Sequence, residues 1–156
     1  MNVEIRRWAF KIQHSLLMIT MYRKDHILNE TQRLARLIAK LLGLKAMPDK
    51  DEEAQEVYHT GLKQEYGLTP AELLVISVED FKTWLKQQNL STPKLDTLAQ
   101  LLYYDAAPFK ADTQTLTKLQ KVLLIFDMLE QEHHQQSFDN IGKRNIIQQY
   151  IQTHHG

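Results

Sequence analysis

Apolar residues in this chain recur three and four positions apart, and no segment alternates apolar with polar residues between turn signals. That spacing lays side chains on one stripe of a 3.6-residue helix and fails the pattern of a half-buried strand. The chain is therefore restricted to an all-α fold. Abundant Leu (23) and Gln (15) against scarce Val (5) agree with it, since straight side chains lose little rotamer freedom in a helix. Residues 71–78, the best strand candidate, contain Ala, Glu and two Leu and read as a short helix.

The stripes and their stop signals predict seven or eight helices. Ile5, Trp8, Ile12, Leu16 and Ile19 mark an amphipathic helix over residues 3–20. Ile27, Thr31, Leu34, Ile38, Leu41 and Leu42 mark a second, ended by Gly43. The stripe rotates by roughly 70° between them, so a break is expected at Arg23-Lys24-Asp25. Asp51-Glu52-Glu53 loads a helix start with negative charge, and Gly67 stops that helix. Thr69-Pro70 with Glu72 predicts a capped short helix, Ser77 caps the next over 78–88, and Thr92-Pro93 caps one over 93–105. A long helix over 113–135 and a last one capped by Ser137 complete the chain. Short connections make antiparallel hairpins the expected arrangement.

At 156 residues the chain has the length of a single domain. The absence of Cys excludes disulfides and thiolate metal or nucleophile chemistry. Nineteen basic residues balance nineteen acidic ones, leaving no overall field to steer the protein to nucleic acid or an anionic membrane. The balance is uneven along the chain: residues 1–46 carry nine basic and three acidic residues, and residues 47–112 carry six and twelve. Neither a secretory segment nor a membrane-length apolar run occurs, which makes a cytoplasmic location the expectation.

Three constellations are candidates for function. Glu130 and His133 continue the stripe of Leu116, Leu119, Leu123 and Phe126, and Glu-x-x-His is the spacing that supplies ligands in di-iron bundles. The same spacing in Glu56 and His59 points to water. Arg33, Arg36 and Lys40 share one helix face that could meet a phosphate or an acidic partner segment. Thr69 to Lys86 has the outline of a helix-turn-helix, but Glu79 and Asp80 stand where phosphate contacts belong, so specific DNA binding is not expected. No phosphate loop, nucleophile elbow or dinucleotide fingerprint occurs, and no catalytic or cofactor-binding residues are assigned.

The run Met-Tyr-Arg-Lys-Asp-His-Ile-Leu from Met21, Leu34 to Gly43, Glu65-Tyr-Gly-Leu68, Leu95 to Leu102 and Ser137-Phe-Asp resembles a bacterial family of small uncharacterised helical proteins. The resemblance covers about residues 21–151 and implies a domain of unknown function whose helix pairs are similar to tetratricopeptide repeats, with a protein-binding role and no chemistry. A 34-residue register fitted to Leu95, Leu98, Ala99 and Leu102 does not recover the later small residues of that repeat. If the family's proteins begin near Met21, residues 1–20 are an extension to a helical body over 21–152. Its apolar stripe would be costly to leave in water and is expected to pack on the body or on a second copy. These readings converge on a single-domain, non-enzymatic interaction or scaffold protein, an array of helix pairs or an irregular bundle, possessing no cofactor and able to form a homodimer through residues 3–20. The alternatives are a metal-binding protein or enzyme using Glu130 and His133, and a phosphate or nucleic-acid binder using the basic face.

Overall fold

A computed structural model describes residues 3–155, which form seven α-helices and no strand. The helices are α1 (Val3–Lys45), α2 (Asp51–Tyr66), α3 (Pro70–Val75), α4 (Val78–Gln88), α5 (Thr92–Ala106), α6 (Thr113–Gln131) and α7 (Phe138–His154). The all-α class expected from the spacing is the class observed. Among the described residues, no helix is long and apolar enough to cross a membrane. The chain divides into two units, Met1–Arg33 and Leu34–Gly156.

The first unit is α1 up to Arg33. Its described side chains from Arg6 to Asn29 are all exposed, among them Ile12 (39%), Leu16 (60%) and Ile19 (53%) of the predicted stripe. The side chains of Ile5 and Trp8 lie outside the described residues. The expected break is not found, because the backbone is helical through Arg23-Lys24-Asp25. The apparent rotation came from counting Ile27, Thr31 and Leu42, all exposed, and leaving out half-buried Leu37 and Leu44. On a helical wheel at 100° per residue, buried Leu34 and Leu41 with half-buried Leu37 and Leu44 span about 80°, the same sector as Ile5 to Ile19. Gly43 does not end the helix either; α1 runs to Lys45, and Ala46 N–H bonds Leu42 O at 3.1 Å.

The second unit is built around α5 and α6, which pack on each other; α2 packs on α5, while α3, α4 and α7 pack on α6. Leu95, Leu98, Ala99, Leu101, Leu102 and Tyr103 spread over about 200° of α5 and are all at most 9% exposed. A helix apolar on most of its circumference is stable only when surrounded, which makes α5 the centre. Gly61 lets α2 approach α1, since a Cβ there would lie 2.9 Å from Leu37 Cδ1.

Local signals set the ends. Thr69 and Glu72 form the predicted capping box, and Ser77 and Ser137 accept from Asp80 N–H and Asn140 N–H. Gly67 ends α2 in the left-handed region at φ 66°. The cap of α5 is Ser91 rather than Thr92: the Ser91 hydroxyl accepts from Lys94 N–H at 3.3 Å. Asp112, which the sequence pattern did not single out, caps α6 by accepting from Thr115 N–H at 2.7 Å, and these bonds hold its carboxyl below the usual range. Helix α6 stops at Gln131 instead of 135, because His134 adopts φ 52° and Gln135 N–H returns to Leu129 O.

Candidate functional site

Glu130 and His133 are drawn apart by different partners. The Arg144 guanidinium forks across Asp127 Oδ1 at 2.7 Å and Glu130 Oε1 at 2.9 Å, tying α7 to α6. His133 Nδ1 lies 2.7 Å from the Thr92 hydroxyl, freed for this contact because Ser91 does the capping. Among the described residues, no group of three or more His, Asp or Glu side chains could hold a metal ion. Glu56 and His59 are exposed, as their place on the helical wheel predicts. The rings of His154 and His155 lie tilted against Tyr150, with centroids 5.0 and 5.4 Å away.

Arg33, Arg36 and Lys40 are exposed, Arg33 in the first unit and the other two in the second.

Two polar centres lie in the second unit. At the first, Lys143 Nζ donates to Gln100 Oε1 and to Asp139 Oδ2, each at 2.5 Å. Gln100 Nε2 donates to Asn140 Oδ1 at 2.9 Å, and Asn140 Nδ2 donates to Asp96 Oδ1 at 2.8 Å. Lys143 Nζ also stands 4.7 Å from the centroid of the Tyr104 ring. Burial alone would lower the Lys143 pKa; the hydrogen bonds to Asp139 and Tyr104 outweigh it and hold the ammonium above its ordinary value. Every member has a partner, so the cluster fastens α7 to α5.

The second is a cavity of about 540 Å³ where α1 ends and α6 begins. Asp105, its side chain 3% exposed, accepts from Lys118 Nζ at 2.6 Å and Gln55 Nε2 at 3.1 Å. Lys45 Nζ donates to the carbonyls of Ala107 and Asp105, completing the end of α5, and burial pushes its pKa down. Three lysines (45, 110, 118) face three aspartates (51, 105, 112), so the cavity favours neither sign of ligand. The buried Tyr58 hydroxyl has no hydrogen-bond partner, and burial followed by the Asp105 charge drives its pKa well up.

The apolar surface is of another kind. Between α3 and α4, Leu68, Ala71, Val75, Ile76, Phe81 and Trp84 line an open groove of about 520 Å³ with Glu72 at its edge. Val75 is 85% exposed, and the Phe81 and Trp84 rings lie nearly parallel at 6.1 Å. Sequence reasoning missed this groove and weighed the same two helices for DNA binding. Its signal was weak: Val75 is one of four apolar residues in the six of α3, and nothing in the pattern marks it as exposed.

Comparison with protein families, with curated proteins and with solved structures found no match to this chain.

Proposed function

We propose that this protein is a non-catalytic interaction module that self-associates through the part of α1 preceding Leu34. One observation carries the reading: Phe10, Leu16, Leu17, Met18, Ile19, Met21, Ile27 and Leu28 are each more than half exposed on one helix. Exposed apolar surface concentrated on one helix marks an interaction site, because leaving it in water forfeits roughly 25 cal/mol per Å². The polar centres support the same reading, since hydrogen bonds and ion pairs within the fold engage Glu130, His133, Asp105 and Lys143. Light scattering on the full chain across a concentration series tests it. Wild type is expected to exceed the mass of one chain, and Leu16→Glu with Leu17→Glu, which puts a charge on each side of the helix, is expected to return it to a monomer. A wild-type monomer, or a variant with wild-type mass, overturns the reading.

A further inference from the structure

We infer, building on the proposed self-association, that the α3–α4 groove of one copy receives the α1 helix of a second copy through Phe10, Leu17, Met21 and Leu28. These four residues follow one another at intervals of seven, four and seven, which confines them to about 40° of the helix circumference at 100° per residue. They form a stripe separate from that of Ile12, Leu16 and Ile19, and each is more than half exposed. An amphipathic helix laid into an apolar groove anchors itself through such a narrow row. The groove offers the matching shape: it is open, apolar and within the ~300–1,000 Å³ of ordinary concave sites.

Charge selects the occupant. Glu72 lines the groove, and the chain from Leu68 to Trp84 that supplies its wall carries three acidic residues, Glu72, Glu79 and Asp80, against one basic residue, Lys82. On the helix, Arg6 and Lys24 flank the Phe10 to Leu28 stripe on one side, while Arg7 and Asp25 share the other, by the same angular reckoning. An apolar helix with Arg6 and Lys24 along one edge and an apolar groove lined by Glu72 complement each other, whereas two copies of that helix set side by side would bring these cations together. The opposite charge balances of residues 1–46 and 47–112 acquire a purpose on this basis.

The contact is heterologous, so each copy brings one helix and one groove, and the two halves can be disabled separately. Ala71→Glu with Val75→Glu charges the groove at two exposed positions, and Leu17→Glu with Met21→Glu charges the stripe at two others. Because all four side chains face solvent, the fold is expected to survive, and circular dichroism checks it. Each double variant is expected to weaken self-association by about 30-fold, as loss of a hot spot does. An equimolar mixture of the two is expected to associate again, since each contributes the half the other lacks. A groove variant that associates like wild type, with the stripe variant monomeric, overturns the groove while leaving the α1 reading intact. A stripe variant of wild-type mass also overturns it, as does a mixture that stays monomeric. A monomeric wild type overturns both inferences together.

Discussion

Half of the residues from Arg6 to Asn29 are apolar, twelve of twenty-four, and so are eight of the fifteen residues of α5. Yet every described side chain of the first stretch is exposed, whereas nine residues of α5 are buried. Composition alone does not decide burial. Around α5 the chain supplies neighbours on several sides, and the charges of α5 are matched as well: Lys94 lies 3.7 Å from Glu65, Asp105 pairs with Lys118, and Asp96 accepts from Asn140. The N-terminal stretch has nearly the same share of apolar residues, and its described side chains stay exposed.

The contrast is sharpest in paired truncations. Leu98→Ala, at a position with no exposure, is expected to cost about 2–5 kcal/mol in urea unfolding, whereas Leu16→Ala, measured at a concentration where the chain is monomeric, should stay within about 0.5 kcal/mol. Equal losses would break the distinction between the two helices.

Burial by neighbours also has a cost, at Lys121 in α6. It is 1% exposed, its ammonium has no hydrogen-bond partner, and its nearest compensation is the Phe81 ring 5.9 Å away. Burial lowers its pKa in the folded protein, so the unfolded chain binds more protons between that lowered value and the ordinary 10.5. Stability should therefore rise with pH through this window, and the cost should be complete below the folded pKa. Lys121→Met is expected to stabilise the protein by about 1–3 kcal/mol at neutral pH, with an advantage that shrinks as pH is raised toward 10. A variant less stable than wild type at pH 7 would show that the ammonium contributes a favourable contact. The smallest effect concerns where α5 begins: Ser91→Ala should cost about 1 kcal/mol, while Thr92→Ala should leave the cap intact and disturb only the contact with His133.

Much of the fold was legible in local chemistry. The caps at Thr69, Ser77 and Ser137 and the stop at Gly67 act over three or four residues, and the sequence contains everything they need. The continuity of α1 was not legible, because Thr31 and Leu42 are compatible with an apolar face and only the packed neighbours show that Leu37 and Leu44 turn inward instead. The partners of Glu130 and His133 lie 14 and 41 positions away along the chain, beyond the reach of any helical wheel. The groove was hidden for the same reason, since it exists only when Leu68 and Trp84 are brought to the same place.

The cluster around Lys143 has a further consequence for how α5 and α7 find their alignment. Its hydrogen bonds run in one direction, from the ammonium to Gln100, from Gln100 to Asn140 and from Asn140 to the Asp96 carboxylate. Each amide is thereby fixed in orientation, with its oxygen toward the cation and its nitrogen toward the anion. Sliding α7 by one residue would point every donor at the wrong atom at once, an error that greasy side chains, which tolerate many nearby alignments, could not detect. The relay thus acts as a vernier, reading the relative position of two helices to a fraction of a turn.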